Sequence, residues 1–294
     1  MEELAQGWPT LRHQVWRISE QESTIEEIEM VLEEPLALHI NGHQVAVLMR
    51  LPGMEKELAA GFCLSEGLVN SFHDVLTIQH CGRSLPRADD GSEGDAAESR
   101  NRVDVRVRPG ALNPEARLDV VRLIRAGCGS VDVDRGSACL QPVESDLRVH
   151  ARTIIALPRS MAQAQQVHQH AGGVHGAALY DPHGQVVVLC EDVGRHNAVD
   201  KAFGHCLLRD IPVRDKILFC SGRLSYEMVS KAVRLGLPVL ASVSAPTALA
   251  VQLAERFGLT VIGYVRGGRM TVYTHPQRIM HSQHQGEMVT CSNT

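Results

Sequence analysis

The sequence predicts an α/β protein with a smaller, mostly β N-terminal region. From residue 157 onward, short apolar runs alternate with amphipathic helical segments, which is typical of βα units around a largely buried sheet. Within the first 110 residues, the stretches from 25 to 50 and after the acidic segment at 86–101 instead alternate with period two, as half-buried strands do. We therefore divide the chain into a mostly β region with one helix (1–110), a helix and a mobile loop that carries Cys128 (111–150), and an α/β ligand-binding core (151–294).

The N-terminal region shows strand patterning from about residue 25 to residue 50. In LALHINGHQVAVLM (36–49), two alternating runs flank Asn41 and Gly42, a dipeptide that favours a type I′ hairpin turn. Residues 54–69 have the apolar spacing of a helix. The acidic stretch 86–101 predicts a solvated hairpin loop, and the alternating residues after it predict another strand.

The core begins with a predicted helix over 158–170 and continues as alternating strands and helices. The predicted strands are QVVVLCED (185–192), KILFC (216–220), PVLAS (238–242) and TVIGYV (260–265), and the helices between them are NAVDKAFGHCLL (197–208), SYEMVSKAVRLG (225–236) and TALAVQLAERFG (247–258).

Composition limits the possible partners and location. The formal net charge is −5 and the pI is near 6.3, so neither nucleic acid nor an anionic membrane is an expected partner. No run of 18 apolar residues predicts a membrane-spanning helix. The N-terminus lacks the apolar segment of a signal peptide, and the expected location is the cytoplasm.

The eight cysteines are scattered and form no C-x-x-C motif, which argues against a disulfide framework and a structural zinc site. Cys63, Cys190 and Cys220 lie in apolar runs, so we expect them to be buried packing residues.

Cys128 differs because it stands between Gly127 and Gly129. Flanking glycines permit positive φ and let another molecule approach closely, which indicates a reactive thiol on a mobile loop. To react, the thiol must be partly ionised. Neighbouring arginines favour the thiolate and neighbouring aspartates oppose it, and the sequence leaves that balance open.

Each strand of the core is followed by a small or polar cluster. Ligands of open α/β sheets bind outside the carboxyl ends of strands, where helix N-termini also point, so these clusters are expected to line one crevice. Glycines allow close approach and arginines bind phosphates as forked donors, which predicts an anionic, nucleotide-like ligand. The clusters contain Arg195, His196 and Asn197, then Ser221, Gly222 and Arg223, then residues 242–247, then Arg266, Gly267, Gly268 and Arg269.

A structural interpretation competes with this one. Turns between strands and helices use glycine and hydroxyl residues as caps whatever the function, so Ser221, Ser244 and Thr247 are alternatively helix caps. His196 and Glu227 could orient a ligand or serve only as structural hydrogen-bond partners.

Several enzyme classes lack their motifs in this sequence. G-x-G-x-x-G, GxxxxGK[ST] and G-x-S-x-G are absent, and so is the H-x-E with P-C-x-x-C pattern of zinc deaminases. Asp192, His196 and Asp200 are spaced four apart and share a helical face, which leaves an acid/base set open. Asp200, however, is expected to face Lys201 and solvent.

Six stretches in the same order span nearly the whole chain and carry a family resemblance. They are EEPLALHINGH (33–43), ELAAGFCLSEGLV (57–69), GGVHGAALYD (172–181), EDVGRHNAVDKAFG (191–204), SGRLSYEMVSKAVRLGLPVLASVSAPTALAVQLA (221–254) and GLTVIGYVRGGRMTVYT (258–274). Through them the chain resembles the FdhD family of formate dehydrogenase accessory proteins. The resemblance implies a cytidine-deaminase-like three-layer α/β fold without the deaminase zinc, usually as a homodimer.

The resemblance also implies a function. Members of the family take sulfane sulfur from a cysteine desulfurase and pass it to bis-molybdopterin guanine dinucleotide before that cofactor enters formate dehydrogenase. On this basis the chain is expected to be a sulfurtransferase-like sulfur carrier that binds guanine dinucleotide as a client and holds no metal. The matching cofactor-binding segment comprises Tyr264, Val265, Arg266, Gly267, Gly268 and Arg269.

The cysteine loop departs from the family pattern S-C-G-x-C-G. Cys128 takes the first cysteine position and Val131 the second, although Cys139 could substitute if the loop folds back. One thiol suffices to carry a persulfide, so Cys128 is the predicted carrier. The departure keeps open an alternative, a non-catalytic cofactor-binding chaperone. A third possibility, a nucleotide-processing enzyme, would need a metal, for which the sequence shows no ligand set.

Overall fold

The computed structural model describes residues 7–80, 100–113, 122–124 and 140–281. The strands in this part are β1 (Thr10–Ile18), β2 (Ser23–Val31), β3 (Glu34–Ile40), β4 (His43–Arg50), β5 (Val75–His80), β6 (Arg102–Val107), β7 (Arg122–Ile124), β8 (Val149–His150), β9 (His175–Tyr180), β10 (Val186–Asp192), β11 (Ile217–Cys220), β12 (Val239–Ser242), β13 (Thr260–Arg266), β14 (Arg269–Val272) and β15 (Ile279–Met280). The α-helices are α1 (Glu55–Ser65), α2 (Ala151–Ala164), α3 (Gln166–Ala171), α4 (Arg195–Leu208), α5 (Tyr226–Arg234) and α6 (Ala248–Phe257).

The main sheet has six strands in the order β10-β9-β11-β12-β13-β14. β11, β12 and β13 are parallel to one another, and β9 runs antiparallel to both β10 and β11. β10 therefore points the same way as β11, β12 and β13. The four strands predicted from the apolar runs are all present, and the mixed α/β class is confirmed.

Helices cover both faces of this sheet because its strands bury side chains on both sides. Leu218 and Cys220 of β11 pack on one side with α4, α5 and α6. Ile217 and Phe219 pack on the other side with α2. The helices between the strands agree with the sequence prediction, apart from residues at their ends.

The helix predicted over 158–170 is different in the structure. α2 already begins at Ala151 and contains Pro158, and after a break at Gln165 the shorter α3 follows. Proline removes one backbone donor from a helix interior, which normally argues for a boundary. Here Ile154, Leu157 and Met161 are buried against the sheet on one helical face, and this packing stabilises α2 across the proline.

A second sheet, with strand order β5-β6-β3-β4-β7, forms the N-terminal region. The hairpin between β3 and β4 turns at Asn41 and Gly42, whose φ values are 49° and 86°, as a type I′ turn requires. The predicted helix at 54–69 is present as α1, but it ends at Ser65, before the left-handed Gly67. β6 matches the strand predicted after residue 101, whereas most of the predicted loop at 86–101 lies outside the described residues.

β1 and β2 form a separate two-stranded ribbon that exposes Trp16, Ile18 and Ile25. No helix in the described part of the chain is long and apolar enough to cross a membrane. The three-part division of the chain stays a prediction.

Candidate functional site

The carboxyl ends of β10, β11, β12 and β13 meet at one edge of the main sheet. The register places the end of β10 beside the start of β9, since Asp192 pairs with His175, and it places Cys220 opposite Ser242. The four polar clusters predicted from the sequence therefore lie along one edge. His175 joins them because antiparallel β9 begins where its neighbours end.

Four arginines at this edge, Arg195, Arg223, Arg266 and Arg269, have no carboxylate partner within the described part of the chain, and we call this group the arginine edge. Arg223, Arg266 and Arg269 are exposed, and Arg195 is half-buried with an Nε that lacks a hydrogen-bond partner. Arg50 and Arg100, in contrast, pair with Glu34. Because the chain carries more acidic than basic residues, unpaired arginines grouped at one edge favour an anionic ligand.

Most hydroxyl groups at the edge are used by the fold. Ser242 Oγ donates to the carbonyl of Gly222 at 2.6 Å and accepts from the Ser244 N–H at 3.0 Å. Thr247 accepts from the Ala250 N–H and caps α6, as the structural interpretation expects. Ser221 accepts from the Gly176 N–H at 2.9 Å. These bonds fix the turns that present the arginines.

The segment from Tyr264 to Arg269 forms the end of β13 and its turn into β14. Tyr264 has φ of 52°, which is unusual for a bulky residue, and its N–H donates to the Ser244 carbonyl at 3.1 Å. Its ring is 39% exposed, and the Arg266 guanidinium lies 5.1 Å from the ring centre. Gly267 and Gly268 form the turn with positive φ. The side chain of Val265 is fully buried in the core, so it does not face a ligand at this edge.

Asn197 and His196 have partners within the fold. Asn197 Nδ2 donates to the Met49 carbonyl at 2.7 Å and to Asp192 Oδ1 at 3.0 Å, and the side chain is buried. Both Nδ2 hydrogens of Asn197 are thus used within the fold, and its predicted ligand role stays a prediction. His196 Nε2 lies 2.9 Å from Glu227 Oε2, so the two side chains are in contact, although their alignment is not that of a hydrogen bond.

Asp192 anchors the N-terminal sheet to the core. Its Oδ2 accepts from the Leu51 N–H at 3.2 Å and lies 2.7 Å from Lys201 Nζ, and that ammonium also donates to the Leu51 carbonyl at 2.9 Å. Both charged side chains are essentially inaccessible to solvent. The motif EDVGRHNAVDK (191–201) therefore fixes the end of β4 against the arginine edge.

The prediction that Asp200 faces Lys201 and solvent is wrong. Asp200 is buried and pairs with Lys231 of α5 at 2.9 Å, and its Oδ1 also accepts from the Ser65 hydroxyl of α1. Burial raises the pKa of Asp200, while Lys231 opposes this shift. Asp200 therefore ties three helices together, and the open alternative of an acid/base set with Asp192 and His196 has no support from this geometry.

The sequence analysis did not single out His175. Its Nδ1 lies 3.2 Å from Ser221 Oγ, and burial lowers the pKa of the imidazole, with Arg195 and His196 adding to the shift and Asp192 opposing it. The sequence does contain a signal that could have identified His175. This residue lies within GGVHGAALYD, at the start of the strand that precedes β10.

The structure tests the predictions for some of the cysteines but not for those of the Cys128 loop. Cys63, Cys190 and Cys220 are buried, and burial raises the pKa of each thiol to about 12, so the prediction of inert packing residues is confirmed. Cys128, Val131 and Cys139 lie outside the described residues.

These features define a mixed α/β protein whose main sheet ends in a cationic edge. The chain belongs to the FdhD/NarQ family, whose family model matches residues 31–280. It is 39% identical over 285 residues to a protein of Mycobacterium bovis named sulfur carrier protein FdhD, covering 93% of this chain and 99% of that one. A protein of the same name from Saccharolobus solfataricus is 36% identical over 272 residues, covering 91% and 97%.

A solved structure shows the same fold. It is described as a putative formate dehydrogenase accessory protein from Desulfotalea psychrophila, with a TM-score of 0.73 and 25% sequence identity. The match covers 92% of this chain and all of that one.

Proposed function

We propose that this protein is a sulfur carrier that accepts persulfide sulfur from a cysteine desulfurase and passes it to bis-molybdopterin guanine dinucleotide for formate dehydrogenase. The observation that carries the proposal is the arginine edge, four guanidinium groups without a carboxylate partner among the described residues, in a family whose curated relatives bear the name sulfur carrier protein FdhD. The client is a guanine dinucleotide, and its phosphates are suitable partners for forked arginine donors.

The length of the edge suits an extended nucleotide. β10 and β13 lie four strand spacings apart, or about 19 Å at ~4.8 Å per spacing. Arg195 follows one of these strands and Arg266 ends the other, so the cations can contact phosphates along an extended ligand. The exposed ring of Tyr264 offers an apolar face on which a base can stack.

Cys128 is the proposed carrier. In the accepting step its thiolate bonds to the outer sulfur of the donor's persulfide, the sulfur–sulfur bond of the donor breaks, and the donor leaves as a thiolate. Cys128 then holds the sulfur as a persulfide until delivery. An electropositive surrounding favours the thiolate that this step needs.

Chain connectivity supports the pairing of Cys128 with the arginine edge. β7 runs parallel to β4, and Ile124 is opposite Leu48, three residues before the Leu51 that Asp192 binds. Cys128 follows Ile124 by four residues, a length of chain that spans at most about 14 Å. The cysteine is thus covalently tethered to the strand end that borders the edge.

A second candidate function is a cofactor-binding chaperone without sulfur chemistry. The observation that favours it is Val131, which stands where the family pattern has a second cysteine. Such a protein would use the arginine edge in the same way but carry no sulfur on Cys128.

Sulfur loading distinguishes the two candidates. After incubation with a cysteine desulfurase and cysteine, we expect the intact mass of the wild-type protein to rise by one sulfur atom, and reductant to remove it. Cys128→Ala is expected to show no such adduct, because the accepting thiol is gone, and Cys139→Ala serves as the matched control that still loads. An unmodified wild-type protein that retains guanine nucleotide binding would favour the chaperone.

The proposal includes three further properties that the resemblance implies. They are a cytidine-deaminase-like topology for the core, a homodimer in solution and a location in the cytoplasm. The helix–sheet–helix layering of the main sheet supports the first of them. Light scattering of the purified protein tests the second, with a monomer mass as the contradicting result.

A further inference from the structure

We propose that His175 is a ligand-contacting residue of the arginine edge, a neutral imidazole whose Nε2–H donates to a phosphate oxygen of the guanine nucleotide beside Arg195. This inference rests on the proposed function, because it names a phosphate group of the same client. His175 lies outside the segment from Tyr264 to Arg269 that the family resemblance assigns to the cofactor.

The hydrogen bonds of Ser221 accommodate the tautomer that this inference assigns to His175. Ser221 Oγ accepts the N–H of Gly176 at 2.9 Å, and its hydroxyl hydrogen can be directed at His175 Nδ1, which lies 3.2 Å away. An imidazole that accepts at Nδ1 and is neutral carries its proton on Nε2. Among the described residues the only hydrogen-bond contact of the His175 ring is the one at Nδ1, so the Nε2 donor remains for a ligand.

Gly222 brings His175 and Arg195 to the same place. A Cβ atom on Gly222 would lie 3.2 Å from Arg195 Cδ and 3.4 Å from His175 Cε1, so both side chains pack over this glycine. Arg195 Nε is also a buried donor without a partner. Two adjacent side chains with unused N–H donors, at the carboxyl ends of the strands, form a contact point for an oxyanion.

Burial first, and then the neighbouring cations, favour the neutral imidazole. Burial lowers the pKa of His175, and the nearby Arg195 and His196 lower it further, whereas Asp192 raises it. Asp192 is already paired with Lys201, and Glu227 lies against His196, so neither carboxylate is left to pair with a protonated His175. A neutral donor next to a permanent cation contacts phosphate without mutual repulsion between two cations.

Calorimetric titration of the full-length protein with GDP tests the inference. We expect His175→Ala to weaken GDP binding about tenfold, as loss of one hydrogen bond to a charged group does. We expect His175→Gln to recover part of the affinity, because its amide nitrogen can reach the Nε2 position, and His175→Asn to recover none. His205→Ala is the matched control, since His205 also has a pKa lowered by burial but lies near Arg209 and Glu57.

Nitrogen NMR of the wild-type imidazole provides a readout that does not depend on a variant folding. Near neutral pH we expect the Nε2-protonated tautomer, and GDP should shift the Nε2 resonance while guanosine, which lacks phosphate, should not. GDP binding by the wild-type protein with an unaltered His175 signal, or with equal affinity in His175→Ala, overturns this inference alone. Absence of GDP binding by the wild-type protein overturns the guanine-nucleotide assignment as well.

Discussion

Replacing Lys201 with methionine is expected to lower the free energy of unfolding by about 3–5 kcal/mol, the usual cost of leaving one partner of a buried ion pair uncompensated. Lys201 and Asp192 are 2% and 0% exposed and lie 2.7 Å apart. Without the ammonium, Asp192 keeps a buried charge, and the Leu51 carbonyl loses a donor. Urea denaturation of the purified protein, followed by circular dichroism, measures the change.

Lys216→Met is the matched control for this prediction. Lys216 is also largely buried, but its partner Asp215 is 57% exposed and can be solvated when the lysine is removed. We expect a loss of less than about 1 kcal/mol there. Equal effects of the two substitutions would contradict the anchoring role of the Asp192–Lys201 pair.

Gly204→Ala is expected to destabilise the protein by about 3 kcal/mol, the upper end for overpacking a close contact. A Cβ on Gly204 would lie 1.8 Å from the Glu57 carbonyl oxygen of α1, and a Cβ on Gly61 would lie 1.9 Å from the Asp200 carbonyl oxygen of α4. The two helices would have to separate, and this cost exceeds the ~1 kcal/mol that alanine contributes through helix propensity.

Thermal unfolding checks this second prediction. Lys56→Ala changes an exposed position of α1 next to Glu57, and its melting temperature is expected to stay close to that of the wild type. If the melting temperature of Gly204→Ala also stays close to that of the wild type, α1 and α4 do not cross as closely as described.

The sequence predicted the core well because chain order constrains it. Once β10, β11, β12 and β13 are recognised as apolar runs joined by helices, their carboxyl ends meet at one edge, and Arg195 and Arg266 follow as edge residues. Local pattern sufficed equally for the turn at Asn41 and Gly42.

Local sequence patterns could not predict contacts between residues that are distant along the chain. Asp200 precedes Lys201, and adjacency suggested a solvated pair, yet successive helical residues point in different directions. Its actual partner Lys231 is thirty-one positions away. Asn197 likewise binds the Met49 carbonyl across the two sheets. In α2, tertiary packing of Ile154 and Leu157 outweighed the local signal of Pro158.

The measurement that tests the central claim most directly is delivery of sulfur in a single turnover. The protein is loaded with radiolabelled sulfur by a cysteine desulfurase, separated from it, and mixed with bis-molybdopterin guanine dinucleotide and apo formate dehydrogenase. We predict that label leaves the wild-type protein and formate dehydrogenase activity appears. Cys128→Ala should neither load nor deliver, and the double variant Arg266→Ala with Arg269→Ala should load but deliver poorly. Activation of formate dehydrogenase by Cys128→Ala to the wild-type level would contradict the assignment of this protein as a sulfur carrier.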